Sequence, residues 1–315
     1  MVLSNLSVVL KDLKKQIYLH IMALPGVIWL VVFAYLPLLG LVIVFQDYDF
    51  MKGYFHSPFV GLDQFKELFS DSIFWDALRN SVGMSVTKLA ITFIIPIIFA
   101  LMLNELKFLK IKRTIQTISY LPHFVSWVVV AGIFSLWLND SGAINDALVK
   151  LNILKEPVTF LADPKKFWVI MAIMEGWKET GWWAIIYLAA IAGIPSEMFE
   201  AAFIDGASRV KQIFCIILPS IKSTIIILFI LSVGGLIRGG VSGVTGSNFN
   251  QSLLFGNVLN RESSEIIDTY ALRMGFQIGR FSLGSAASVV QSVLSVALFA
   301  AANWFSKKIS DESVY

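Results

Sequence analysis

Long apolar blocks alternate with shorter polar segments along the chain, and each block is about as long as a bilayer is thick. A helix crossing the hydrocarbon needs ~20 residues. Six stretches meet that length, at about 20–45, 81–105, 116–138, 167–192, 220–238 and 283–305, so the pattern predicts six transmembrane helices. The fifth runs into the glycine-rich stretch 234–246. Pro122 sits near the start of the third block, Pro195 follows the fourth and Pro219 precedes the fifth. Pro25, Pro37 and Pro96 fall inside blocks, where membrane helices tolerate proline if neighbours satisfy the freed carbonyls. The first block follows Lys11, Lys14 and Lys15, as the core of a secretory signal would. It is longer than the roughly 7–15 residues of such a core and no small-residue cleavage site follows, so it reads as a retained span.

The connecting segments give the orientation. One set is short and basic: Lys11, Lys14 and Lys15; Lys107, Lys110, Lys112 and Arg113; Arg209, Lys211 and Lys222; Lys307 and Lys308. The alternate set, 46–80, 139–166 and 239–282, is longer and mixes both signs, although the second member also holds Lys150, Lys155, Lys165 and Lys166. Positive residues concentrate on the cytoplasmic side of membrane proteins, which places both termini inside. The expected layout is a cytoplasmic segment 1–19, a transmembrane domain 20–305 and a cytoplasmic tail 306–315. Within 55–80, Leu62, Phe65, Leu68, Phe69, Phe74, Trp75 and Leu78 alternate with acidic residues. That spacing suggests short amphipathic helices at the membrane surface, as a cap over the bundle or a docking surface for something outside.

Composition agrees with a membrane protein. Of 315 residues, 57% are hydrophobic and 15% charged, against about 25% charged in soluble domains; the mean hydropathy is +0.73. The net charge of +3 is explained by basic loops and does not call for nucleic acid. A single cysteine, Cys215, excludes an internal disulfide and a cysteine-based metal site. The three histidines, His20, His56 and His123, are scattered and suggest no metal site. No phosphate loop of the form G-x-x-x-x-G-K-[ST] occurs, nor H-E-x-x-H, C-x-x-C or G-x-S-x-G, so ATP hydrolysis and other catalysis are expected from a partner.

The segment IPSEMFEAAFIDGASRVKQIFCIILPSI, residues 194–221, is polar enough to leave the bilayer. Ser196 is a candidate N-cap, with Phe199, Ala202 and Phe203 at helical spacing behind it. Gly206 ends that helix or opens a tight turn. Val210, Ile213, Phe214 and Ile217 then form a second amphipathic stretch before Pro219. The expected object is a short helix, a bend and a second short helix.

Glu200-Ala201-Ala202, then Asp205-Gly206-Ala207, then Phe214, Ile217, Leu218 and Pro219 resemble the EAA signature of binding-protein-dependent ABC importer permeases. Tyr120-Leu121-Pro122-His123-Phe124-Val125-Ser126-Trp127, Trp137 and Gly142-Ala143-Ile144-Asn145 are similar to the carbohydrate branch of that family. So are Asp47-Tyr48 through Gly61-Leu62, the stretch from Phe65 to Asn80, and Ala302-Asn303. More narrowly the chain resembles permeases of the LplB type, within the broader MalF/UgpA-type group, which serve oligosaccharides and polysaccharide fragments. The tail 310–315 departs from the family in lacking a terminal tryptophan. The resemblance implies an all-α integral membrane protein with six transmembrane helices, the type I ABC importer permease fold and a cytoplasmic coupling helix in the loop 194–219. It implies that Glu200, Ala201, Ala202, Phe203, Asp205, Gly206 and Arg209 meet a dimer of a cytoplasmic ABC ATPase, which alone holds ATP and Mg. The other implied partners are a second homologous permease, an extracytoplasmic solute-binding protein, a carbohydrate substrate and the lipid bilayer of the bacterial plasma membrane.

Charge at bilayer depth is costly and tends to face a cavity or a partner. The fourth block holds Glu175, Trp177, Lys178, Glu179, Trp182 and Trp183. Glu175 and Lys178 are spaced to pair on one helix face, leaving Glu179 available. Rings beside charges suit a sugar path, and they equally suit an aromatic belt at the membrane boundary. Lys88 in the second block either pairs with an acid of a neighbouring helix or snorkels outward. Gln291 and Asn303 read as helix–helix contacts. The stretch 238–251 reads as a flexible outer loop, with Asn248 and Gln251 as candidate ligands. Two other classes remain in view. An ion-coupled secondary transporter fits six spans with intramembrane carboxylates but gives no reason for the helix-bend-helix. A membrane-embedded transferase needs a polar catalytic cluster at one membrane face, and none is present.

Overall fold

In lipid every backbone N–H and C=O needs an internal partner, which leaves helices as the open-chain solution for apolar blocks of this length. Helix is what the blocks form in the computed structural model, which describes residues 16–237 and 247–310. The main elements are α1 (Ile17–Phe45), α2 (Asp63–Ser70), α3 (Ser72–Glu105), α4 (Leu109–Phe124), α5 (Trp127–Leu138), α6 (Ala143–Lys150) and α7 (Pro164–Ala192). They continue as α8 (Ser196–Ile204), α9 (Arg209–Ser220), α10 (Lys222–Gly234), α11 (Ser247–Phe255), α12 (Ile267–Leu272) and α13 (Phe281–Ser310). Among the described residues, α1, α3, the stretch Trp127–Lys150 and α13 are each long and apolar enough to cross a membrane. Two further crossings appear if the bent pairs α7/α8 (72°) and α9/α10 (62°) each count as one, which gives the number of spans predicted but not their bounds.

Two expectations need correction. Only α2 is a separate amphipathic helix in the region 55–80. Asp71 caps α3, its carboxylate accepting from the Ile73 N–H at 2.9 Å, so the span helix starts well before residue 81. Phe74 and Ala77 are consequently buried in the bundle rather than laid on a membrane surface. The third block is also not one helix. α4 ends at Phe124, two residues past Pro122, and the Ser126 hydroxyl accepts from the Val129 N–H at the start of α5. Proline removes a helical donor and serine competes for the backbone, so the pair breaks a stretch that hydropathy reads as continuous.

The buried face of α3 recurs at helical spacing: Phe74, Ala77, Ser81, Met84, Ser85, Lys88, Thr92, Pro96, Ala100 and Leu103. Its main partner is α7, which also packs against α4 where Gly181 meets the Ser119 backbone. Phe74, Tyr270, Leu283 and Ala286 form one core cluster. Met84, Trp127, Phe167, Met171, Phe255 and Ile266 form a second. Ala100, Trp183, Tyr187, Ile191, Ile217 and Ile221 form a third, at the end of the bundle where α7 turns into α8 (the elbow end). At the opposite, loop end, buried Asn145 donates to the carbonyls of Asn139 and Val158 and accepts from the Val158 N–H at 2.9 Å, closing the connection between α5 and α7. Of the residues of α1, only Val44 is buried.

Candidate functional site

The elbow is built by its proline and its glycine. Pro195, with φ −57° and ψ 135°, occupies the position before α8, so Ser196 is the first helical residue and not the expected cap. α8 ends in a left-handed turn at Gly206, φ +71°, a conformation that a Cβ disfavours. Gly206 N–H donates to Phe203 O at 3.1 Å and Ala207 N–H to Ala202 O at 2.8 Å, the paired bonds of a Schellman cap. Ser208 Oγ then accepts from Lys211 N–H, starting α9, and buried Gln212 donates back to Ala207 O at 3.2 Å. Phe199, Ile213 and Ile217 pack on the third core cluster. The bend is thus locked on itself and keyed into the bundle.

Its other face is bare. Phe203 is 78% and Ile204 83% exposed, with Glu200, Ala201 and Asp205 exposed beside them and Ala202 half-buried. Phe203 therefore leaves the inward stripe that helical spacing assigns it, as do Val210 and Phe214 on α9. Arg209 Nη1 lies 3.9 Å from Glu105 at the end of α3.

Two polar clusters lie deeper. In the first, Lys88 of α3 meets Glu175 of α7 at 3.2 Å, with side chains 3% and 4% exposed. Lys88 Nζ also donates to Asn248 Oδ1 at 2.7 Å and to Ser247 Oγ at 3.0 Å. Asn248 donates to Ser85 Oγ at 2.6 Å, and Gln251 donates to Met171 O at 3.2 Å and Glu175 Oε2 at 3.3 Å. The second cluster sits at the break between α4 and α5. Lys178 donates to Pro122 O at 3.3 Å and to His123 O, placing a cation at the C-terminus of α4 where the helix dipole favours one. Glu179 pairs with His123 Nδ1 at 2.7 Å and with Lys178 at 3.3 Å. The His123 ring stacks on Trp182, centroids 4.3 Å apart and planes 3° apart, and Lys178 lies over the Trp127 ring. Half-exposed His123 and Trp182 leave this cluster open on one side.

Residues 93–311 match the family described as binding-protein-dependent transport system inner membrane component. The chain belongs to that family. Protein LplB of Bacillus subtilis (strain 168) is 38% identical over 304 residues, covering 96% of this chain and 92% of LplB. The polygalacturonan/rhamnogalacturonan transport system permease protein YteP of the same organism is 39% identical over 302 residues, covering 96% and 91%. A solved structure of a bacterial ABC transporter involved in import of the acidic polysaccharide alginate superposes with a TM-score of 0.86 at 34% identity, covering 96% of this chain and 99% of that one. The same fit is found to that transporter in complex with an alginate pentasaccharide-bound periplasmic protein. The chain is therefore an ABC transporter permease with the importer permease fold, a transport subunit and not an enzyme.

In this inner membrane transport component the sequence-derived path residues divide. Glu175 and Lys178 do not pair with each other; each finds a partner on another helix. Glu179 is not left available. Lys178, Glu179 and Trp182 come together with His123, which the sequence marked only as part of the resemblance over 120–127 and not as a path residue. The signal that existed was Pro122-His123 inside an apolar block opposite an acidic residue of another block. Trp177 instead borders an apolar cavity of about 530 Å3 with Ile91, Ile95, Phe99 and Ile118. Asn248 and Gln251 are not on a flexible loop: both are fully buried in α11, while 238–246 of that expected loop lie outside the described residues. Gln291 does act as a helix–helix contact, donating to Asp268 Oδ2 at 2.7 Å. Among the described residues no three His, Cys, Asp or Glu side chains are grouped to hold a metal ion.

Proposed function

We propose that this permease forms half of the translocation path of an ATP-driven carbohydrate importer. The carrying observation is the elbow: a bend fixed by its own hydrogen bonds, keyed to α7 and α9 from within, with Phe203 and Ile204 bare outside. Large exposed apolar side chains on a rigid element mark a docking surface. In this reading Glu200, Ala201, Ala202, Phe203, Asp205, Gly206 and Arg209 of the coupling loop 194–219 meet one subunit of an ABC ATPase dimer, which carries ATP and Mg. Both termini are cytoplasmic, with 1–19 and 306–315 flanking the transmembrane domain 20–305. A second homologous permease closes the path, and an extracytoplasmic binding protein delivers the cargo.

His123, Lys178, Glu179 and Trp182 are assigned to the path, where a ring stacks on a sugar face and charged groups take hydroxyls. Glu175 and Asn248 are assigned to the scaffold around it. YteP is named for polygalacturonan and rhamnogalacturonan and the solved transporter for alginate, so an oligouronate is the first cargo to test.

The test places a thiol at Ala202 (Ala202→Cys in a Cys215→Ser background) and crosslinks it in intact cells. Recovery of an ATPase subunit supports the assignment. Crosslinking only from the extracellular side, or uptake in proteoliposomes that runs on an ion gradient without ATP, overturns it.

A further inference from the structure

Lys88 and Glu175 place two ionisable groups 3.2 Å apart at a buried position where two apolar side chains of similar volume would fill the space. Replacing a buried ion pair by apolar residues is often neutral or stabilising, so stability alone does not account for this pair. What the pair holds is more informative. Its hydrogen bonds to Ser247, Asn248 and Gln251 all cross from α3 or α7 to α11. The inward residues of α11 form a polar face, Ser247, Asn248, Gln251 and Ser252, each buried, while Phe255 joins the second apolar core cluster.

A polar seam differs from an apolar one in how it separates. Opening an apolar seam exposes surface that water does not compensate, whereas a hydrogen-bonded group exchanges its partner for water at small net cost. This seam is already short of one partner. Both neighbours of Gln251 Nε2 are acceptors, which fixes the amide orientation and leaves Oε1 as a buried acceptor with no hydrogen bond. A cavity of about 10 Å3, lined by Ser85, Lys88, Thr92, Glu175 and Ser232, adjoins the pair. That is roughly the space one water needs.

We propose that Lys88 and Glu175 are positioning residues forming a latch that docks α11 against α3 and α7 in one state of the transport cycle and frees it, by hydration of the seam, in the other. The uptake part of this inference rests on the transport reading above; the docking part does not.

The docking part is tested with a single thiol at Ser252, whose hydroxyl faces Met84 Sδ at 3.8 Å, in a Cys215→Ser background. Its rate of reaction with a water-soluble maleimide is measured in proteoliposomes. Lys88→Met and Glu175→Gln each leave one ion unpaired, and each should raise the labelling rate about tenfold or more. The double variant Lys88→Met/Glu175→Gln leaves no unpaired ion but still lacks the donor to Ser247 and Asn248, so its labelling should fall below that of the single variants without reaching the parental rate, while uptake by the assembled transporter falls about tenfold or more. Unchanged labelling in both single variants overturns the latch, and so does parental uptake by the double variant. If the single variants do not accumulate in membranes, uptake by the double variant decides. Absence of uptake in the parental chain would count against the transport reading alone, because labelling still reports docking.

Discussion

A Cβ placed on Gly181 would lie 2.0 Å from the carbonyl oxygen of Ser119, so α7 and α4 touch backbone to backbone at that point. Ser119 lies four residues, about one turn, before His123, and Gly181 lies two residues after Glu179. The contact sets the distance across which Lys178 caps α4. Small residues permit such approach in membranes, where packing rather than hydrophobic exclusion holds helices together.

Gly181→Val should force α4 away from α7, because the Ser119 oxygen it meets is backbone and cannot swing aside. Overpacking of this kind costs about 1–3 kcal/mol or more. A lower midpoint in a detergent thermal-aggregation assay is expected, with Gly132→Ala, where a Cβ meets nothing within 4 Å, as a neutral control on the same apparatus.

Gly206→Val places a β-branched residue at φ +71°, a strain of roughly 1–3 kcal/mol, and should weaken the Schellman cap. Uptake should fall about fivefold or more, the scale of a strain of this size, with membrane abundance unchanged. Gly206→Asn, which tolerates the left-handed region, should retain more uptake than the valine variant. Glu200→Ala, on the exposed face, should also reduce uptake without affecting insertion. Full uptake in both Glu200→Ala and Gly206→Val would remove the elbow from the mechanism.

Trp182→Ala removes the stacking partner of His123 and, in the proposed path, a platform for the sugar ring. Loss of an aromatic contact of about 0.5–1.5 kcal/mol corresponds to a KM for cargo raised about twofold to tenfold. Trp177→Ala, on the apolar cavity, should leave KM close to the parental value. Equal effects of the two substitutions in an uptake titration would deny the cluster its assigned role.

Tyr270, in α12, donates its hydroxyl to Asp71 Oδ2 at 2.7 Å. Burial first, and the Asp71 carboxylate second, push the phenol well above its ordinary value of 10. The folded state thus keeps a proton that the unfolded chain gives up. The stabilisation is fully present below the ordinary value and is lost as pH climbs beyond it. Thermal midpoints measured from neutral pH to 10.5 should decline more steeply for the parent than for Tyr270→Phe at the alkaline end. Parallel curves would show that the hydroxyl is not linked to stability.

The sequence was most readable where one physical rule dominates. Hydropathy located the blocks, and the Pro195, Gly206 and Pro219 punctuation located the elbow, because lipid and left-handed φ each admit few solutions. It was least readable where partners come from distant helices. The i, i+3 spacing of Glu175 and Lys178 is real, but Lys88 and the α4 carbonyls outcompete it through contacts that spacing within one helix cannot report. The burial of Asn248 and Gln251 was hidden for a related reason. A polar nine-residue stretch looks like solvated loop unless its hydrogen-bond partners, Lys88 and Glu175, are known to face it. The break at residues 125–126 was masked by apolar residues on both sides, and Ser126 betrays it only through its capping bond.

The near absence of burial along α1 has a bearing on biogenesis. The three core clusters draw only Val44 from it, so the remaining helices can complete their interior without waiting for this one. During synthesis this helix would then be the last to settle against the bundle, anchored near residue 44. An amino-terminal deletion that spares that anchor should leave the rest of the bundle able to mature.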